Sequence, residues 1–259
     1  MKQLQALIFD VDGTLADTER DGHRVAFNKA FTEAGLDWNW DIALYGELLA
    51  VTGGKERMRF FLEKHDPQLL EEAGIEEKIA ELHRRKTHYY LELLREGEIP
   101  LRPGVERLLN EARDAGLRLA IATTTTPENV TTLLSATLGD ASIDWFEVIA
   151  AGDIVPAKKP APDIYDYALE KMGLSPEQCV ALEDSRNGLV SATDADLATI
   201  ITVNGYTQAE NFDGALLVLD QFGQPNSPAR VLAGDMEGFE YLSVDALRAL
   251  NQKIEALEA

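Results

Sequence analysis

The chain has 259 residues, and 45 acidic against 24 basic side chains give it a formal net charge of −21. A surface this acidic argues against nucleic acid or an anionic membrane as partner, so an anionic substrate needs a metal ion or a local basic patch to receive it. No apolar run approaches the roughly 20 residues of a membrane span, and the single cysteine, Cys179, excludes an internal disulfide. The N-terminus, "MKQLQALIFD", carries no Arg- and Ser-rich leader and no signal-peptide pattern. A cytoplasmic protein is expected, or a plastid stromal one if a transit peptide has been removed.

In chain order, "LQALIFDV" at 4–11 reads as a short strand buried on both faces. Residues 17–98 then look all-helical, with Ile75, Ile79, Leu82, Tyr89 and Leu93 keeping a helical stripe through a highly charged segment. From about residue 98 strands and helices alternate. "GVERLLNEARDAG" is a helix stopped by Gly116, "LRLAIAT" a strand, and "TPENVTTLLSATLG" a helix with Thr126 and Pro127 as N-cap and first residue. "FEVIAAGD" is a strand, "PAPDIYDYALEKMG" a helix closed by Gly173, and "CVALED" a strand in which Cys179 is a buried thiol. "SRNGLVSATDA" and "ATIITV" complete the repeat as helix and strand. Strands apolar throughout and separated by helices predict an α/β fold, a doubly wound, Rossmann-like parallel sheet covered on both faces.

The expected organisation is a core built from residues 1–16 and 99–259, with residues 17–98 inserted as a helical cap. Within the core, residues 210–259 form a C-terminal extension with a weaker pattern. "GALLVLD" is a candidate strand there, and Val244, Leu247, Leu250, Ile254 and Leu257 mark a last helix behind Ser243.

In open parallel sheets functional groups gather beyond the carboxyl ends of the strands. Those ends carry Asp10 and Asp12, then Thr123 to Thr126, then Lys158 and Lys159, then Glu183, Asp184 and Ser185. Each set also has an ordinary explanation. Asp-Val-Asp-Gly suits a turn, "TTTT" a loop and helix cap in either of two registers, the lysines a solvated pair, and the acids a helix N-terminus. Asp10 and Asp12 pose the sharpest question, since two carboxylates about 4 Å apart at an effective dielectric near 20 repel by about 4 kcal/mol.

Taken together, "DVDGT", Thr123, Lys159 in "KKPAPD" and "LEDS" resemble, in order and position, the four motifs of the haloacid dehalogenase superfamily of aspartate-nucleophile phosphohydrolases. The resemblance implies Asp10 as nucleophile and Asp12 as general acid, then base, helped by a raised pKa beside a like charge. It implies Thr123 as a hydrogen-bond donor and Lys159 as the cation that neutralises nucleophile and phosphoryl oxygens. It also implies Mg²⁺, held by Asp10, the Asp12 backbone carbonyl and Asp184, with Glu183 nearby through a water. A cation between the carboxylates answers the repulsion.

"TGGKERM", "IATTT", "AGDIV", "KKPAPDIY" and "ALEDSRNG" resemble more narrowly the CbbY-like branch, near the beta-phosphoglucomutases, which includes phosphatases of xylulose-1,5-bisphosphate. On that resemblance Glu19 and Gly53, Gly54, Lys55, Glu56 and Arg57 contact the sugar and its far phosphate, with Thr124 and Thr125 helping from the core. By residue pattern alone, "VTGGKERM" suits either an anion-binding helix start or an ordinary loop before a charged helix. "TERDGHR" holds one more residue before its histidine than the family pattern; His23, near the hinge into the cap, is a candidate. His65, His83 and His88 show no metal spacing and are expected at the surface. The expectation is a monomeric Mg²⁺-dependent phosphatase of a small phosphorylated sugar. A phosphosugar mutase is the rival, and a non-catalytic phospho-acceptor module the alternative of another class.

Overall fold

The apolar run near the N-terminus forms β1, Ala6–Phe9, all four residues buried. In the computed structural model, which describes residues 3–236 and 238–258 (253–258 by backbone alone), β1 sits inside a seven-stranded sheet. It pairs in parallel with β2 (Arg118–Thr123) on one side and β4 (Cys179–Glu183) on the other. β3 (Phe146–Ala151) lies outside β2, while β5 (Ala198–Thr202) and β6 (Leu217–Leu219) continue the parallel sheet beyond β4. The chain thus winds outward from β1 to β3 and then crosses back to β4. That reversal of direction opens a crevice outside the carboxyl ends of β1 and β4, where Asp10, Glu183 and Asp184 fall.

The two faces of the sheet are packed differently because alternate residues of each strand point opposite ways. Leu7, Phe9, Leu119, Ile121, Val180 and Leu182 bury large side chains against α5 (Val105–Asp114) and α6 (Pro127–Leu138). Ala6, Ile8, Ala120, Ala122 and Ala181 form the other, smaller-surfaced face, under α7 (Asp163–Met172) and α8 (Arg186–Asp194). The expected punctuation is present. Thr126 caps α6 through its side chain with Pro127 first in the helix, and Gly173 ends α7 in the left-handed region.

Between β1 and α5 lie four α-helices, α1 (Arg24–Glu33), α2 (Ile42–Leu48), α3 (Gly54–His65) and α4 (Ile75–Arg95). They enclose an aromatic core of Phe27, Phe31, Trp40, Tyr45 and Phe61. On α4 the buried stripe runs Ile75, Ile79, Leu82, Lys86, Tyr90, so Tyr90 rather than the expected Tyr89 continues it, and a lysine lies within it. No described helix is long and apolar enough to cross a membrane.

The C-terminal extension docks on the large-residue face. Val244, Leu247 and Leu250 of α9 (Val244–Glu258) join that core, and the Ser243 hydroxyl accepts from Ala246 N at 3.0 Å at the helix start. Ile254 and Leu257 lie outside the described side chains. β7 (Val231–Ala233), an antiparallel edge strand, was not legible in the sequence because three residues are too few for a periodicity.

Arg102, at the return from the cap, ties these parts together. Its buried guanidinium donates to the carbonyls of Gly13, Thr202 (3.0 Å), Val203 (2.6 Å) and Asp220 (2.9 Å), and lies 3.3 Å from Asp17 at the outgoing linker. Replacing it by methionine keeps the apolar stem but leaves four carbonyls without their donor. Arg102→Met should therefore lose on the order of 3 kcal/mol of stability, read as a lower urea midpoint with unchanged slope.

Candidate active site

The loop ends of β1, β2 and β4 converge on one ammonium. Lys159 Nζ donates to Asp10 Oδ1 at 2.7 Å, Glu183 Oε1 at 2.5 Å and the Ala122 carbonyl at 2.8 Å. The lysine pair is thus resolved: Lys159 is buried at Asp10, while Lys158 is half-buried and pairs with Glu56 and Asp153. Tyr165 also donates to Glu183 Oε1, at 2.5 Å. Thr123 ends β2, buried, with its hydroxyl accepting from Thr125 N at 3.3 Å.

Asp10, Glu183 and Asp184 each offer an oxygen within 4.8 Å of the others, all three buried. Burial, together with Glu183 and Asp12, pushes the Asp10 carboxyl up to about 8 against the pull of Lys159. Burial and the neighbouring carboxylates also raise Asp184 well above the usual range. Lys159 stays charged; burial opposes it, but Asp10 and Glu183 outweigh that. Three buried carboxylates facing one ammonium are an oxygen donor set short of positive charge, which suits a hard metal cation.

Asp12 behaves otherwise, and one expectation fails here. Its carboxylate turns to the cap side, accepting from Thr18 Oγ1 at 2.5 Å and from His23 Nε2 at 2.9 Å. Burial alone would raise its pKa. The electrostatic pull of His23 and its hydrogen bond, the Thr18 hydrogen bond and the Lys86 charge lower it to about 2 instead. The like charge of Asp10 is answered on each side separately, by Lys159 for Asp10 and by these donors for Asp12. Lys86 Nζ lies 2.7 Å from His23 Nδ1. An ammonium only donates, so Nδ1 accepts and the hydrogen sits on Nε2, facing Asp12.

His23 reaches Asp12 from a segment, Glu19–His23, wound as a π-helix, a winding that suits the one residue by which the segment is longer than the pattern it resembles. A π-turn takes up one residue more than an α-turn, so the histidine is delivered to the same side. The turn passes close to the cap: a Cβ on Gly22 would lie 2.6 Å from Ile99 Cδ1 and 2.8 Å from Tyr90 Cε2. A side chain there has to push the Tyr90 ring and the end of Ile99 aside.

Cap and core enclose two adjoining cavities that share Asp12, Glu19, Arg57 and Thr124. The outer one, about 450 Å³, holds Asp10, Thr123, Lys159, Glu183 and Asp184. The inner one, about 170 Å³, is lined by Gly53, Gly54, Lys55, Glu56, Thr125 and His23, among others. Every candidate from the sequence therefore falls on one of the two. Glu19 is held by Tyr45 OH and by Arg57 NH1 at 3.3 Å, and Tyr45 accepts from the same Arg57 nitrogen at 2.6 Å.

His65 and His88 are exposed as expected, but His83 is not. It is half-buried on the inner cavity, where Gly54 leaves it room: a Cβ there would lie 2.8 Å from His83 Cδ2. Burial, with the charges of Lys86, Lys55 and Lys158, lowers its pKa to about 3, so it is neutral at pH 7. Sequence reasoning also missed Lys86, Asn129 and Asn204, whose Nδ2 donates to Asp184 Oδ2 at 2.6 Å. A lysine at a stripe position of α4 was a usable signal for the first, and the fifth strand end a usable one for Asn204. Asn129 sits one turn into α6 and carried none.

With this geometry in place, comparison with known proteins assigns the class. The family model for haloacid dehalogenase-like hydrolases matches residues 4–196. Protein CbbY of Cupriavidus necator is 49% identical over 228 residues, 87% of this chain and 88% of that one. Crystal structures of CbbY from Rhodobacter sphaeroides, one in complex with phosphate and one of a mutant with xylulose-(1,5)bisphosphate, match with TM-scores of 0.78 and 0.79 at 49% identity. Each comparison covers 85% of this chain and 96% of that one. The chain belongs to the haloacid dehalogenase-like hydrolases and, within them, to the CbbY family of phosphatases.

The π-turn makes a contrast to test. Gly22→Ala should displace His23 from Asp12 and lower kcat by about 10²-fold, as a misplacement of roughly 1 Å does. Deleting Gly22 should do less damage, because the turn can revert to α-helical winding with His23 still over Asp12. Steady-state kinetics beside thermal melting of both variants checks this; equal loss in the two would refute it.

Proposed function

We propose that this protein hydrolyses xylulose-1,5-bisphosphate to xylulose 5-phosphate and phosphate, through a phosphoryl group carried on Asp10. The observation that carries the reading is the placing of cations at both ends of a divided cavity, Lys159 beside Asp10 in one part and Lys55, Arg57 and Lys158 around the other. A substrate with one phosphate needs only the first set. The relative crystallised with xylulose-(1,5)bisphosphate supports the same choice.

The phosphate to be removed lies against Asp10, Thr123 and Lys159. An Asp10 oxygen attacks phosphorus and the bond from phosphorus to the sugar oxygen breaks, with Asp12 giving a proton to the departing alcohol. Asp12 starts as a carboxylate, so it must first take up a proton. The negative charge of a phosphate arriving beside it raises its pKa and favours that uptake. In the second half, Asp12 removes a proton from the water that attacks phosphorus, the bond to Asp10 breaks, and inorganic phosphate leaves. His23, fixed by Lys86, orients Asp12 for both transfers. Thr123 and Lys159 stabilise the negative oxygens throughout, and the cap keeps bulk water out. Asp10, the Asp12 carbonyl and Asp184, with Glu183 behind, would hold Mg²⁺, which would supply positive charge against the phosphoryl oxygens.

Incubation with Mg²⁺ and xylulose-1,5-bisphosphate should release phosphate, and Asp10→Asn should abolish release. Glucose 6-phosphate formed from beta-glucose 1-phosphate without phosphate release would instead identify a mutase. The metal has its own test. A proton on Asp10 competes with the cation, and the Asp10 pKa of about 8 places the competition below that pH. Calorimetric Mg²⁺ affinity of the metal-free protein should rise with pH from about 6 up to at least 8, by up to about tenfold per unit for each proton displaced, since Asp184 also holds its proton above the usual range.

A further inference from the structure

Among the described residues, seven buried side-chain polar atoms have no hydrogen-bond partner. Three of them, Glu56 Oε2, Arg57 Nε and Asn129 Oδ1, belong to residues lining the 170 Å³ inner cavity. A buried polar atom left unpaired is costly, so such atoms gathered in one cavity mark what its ligand supplies. Arg57 Nε is a donor and takes a phosphate oxygen. Asn129 Oδ1 and Glu56 Oε2 are acceptors, and a phosphate or carboxylate offers them nothing.

Asn129 is the more tightly built of the two acceptors. It is 3% exposed, one turn inside α6, where its backbone N–H donates to the Thr126 hydroxyl at 3.4 Å. Its Nδ2 donates to Thr125 Oγ1 at 2.9 Å, and Oδ1 has no partner. Thr125, already accepting, keeps its own hydrogen for a phosphate oxygen. Helix, hydroxyl and amide thus form one unit, with Oδ1 its unpaired acceptor at the cavity.

We propose that Asn129 is a specificity-determining residue that accepts a hydrogen bond from a hydroxyl group of the sugar, opposite Glu56, and so selects polyhydroxylated phosphosugars over small phosphorylated acids. This deepens the function proposed above and rests on it. A substrate such as phosphoglycolate would set its carboxylate against two acceptors and leave both unpaired. A pentulose bisphosphate brings two phosphates for the cations and hydroxyls at C3 and C4 for the acceptors.

The test compares wild type, Asn129→Ala and the isosteric Asn129→Asp, each checked by thermal melting. The substrates are xylulose-1,5-bisphosphate, its 3-deoxy and 4-deoxy analogues, and phosphoglycolate. Wild type should lose at least about tenfold in kcat/KM on one deoxy analogue. Asn129→Ala should lose a similar factor on the full substrate over and above any loss it shows on phosphoglycolate, and nothing beyond that common loss on the analogue. Asn129→Asp keeps an acceptor and should keep the discrimination against the deoxy analogue. Equal loss on all substrates, or fully multiplicative losses on both analogues, would overturn the proposal and leave Asn129 a support for Thr125 only. If wild type does not hydrolyse the bisphosphate, the assigned substrate falls while this inference is still read on ribose 5-phosphate against phosphoglycolate. A preference unchanged by Asn129→Ala would then sink it.

Discussion

The structure is organised around an excess of buried negative charge. Asp10, Glu183 and Asp184 lie within 4.8 Å of one another, out of water, with one ammonium among them. Buried charges are tolerated only when paired or bound to a cation, and the surroundings supply part of that pairing. Asn204 donates to Asp184, Tyr165 to Glu183, and Lys159 bridges Asp10 and Glu183. The remaining deficit is what makes the group a cation site. The switch in winding direction between β1 and β4 is the fold feature that lets two strand ends bring these carboxylates together.

The second constraint is that Asp10 and Asp12, two residues apart, sit in opposite electrostatic surroundings. Both lie beyond the end of β1, Ala6–Phe9, where the chain leaves the strand and the two side chains meet different neighbours, one Lys159 and the other Thr18 and His23. Their pKa values then separate, Asp10 to about 8 and Asp12 to about 2. Since the donors to Asp12 come from the linker and the cap, the charge of that carboxylate depends on where the cap stands. The cap therefore sets the ionisation of a group in the site as well as covering it, which explains why Lys86 interrupts an otherwise apolar stripe on α4.

The acidity of the chain and the anionic character of its substrate are compatible for the same local reason. Lys55, Arg57, Lys86, Lys158 and Lys159 all face the two cavities, although the whole chain carries a net charge of −21. Low dielectric and short distance let a few cations set the field of a closed site, while the acidic surface is screened by solvent within about 10 Å.

Much of this was determined by the sequence alone. Apolar strands alternating with amphipathic helices specify a parallel sheet, because each strand must be covered on both faces, and the strand-end rule then lines up Asp10, Thr123, Lys159, Glu183 and Asp184. The caps at Thr126 and Gly173 were local too, since they depend on a few adjacent backbone groups. What only the tertiary structure decided involves contacts between segments far apart in the chain. Lys159, preferred to Lys158 on the motif it resembles, is buried by a pairing across 149 positions, and the pKa of Asp12 is lowered by donors on the linker and cap. The π-turn that brings His23 into register, and the cavity that leaves Asn129 with an unpaired oxygen, follow from packing that no periodicity records. Local pattern fixes which faces are buried; which polar groups meet in the space between them is settled only when cap and core close on each other.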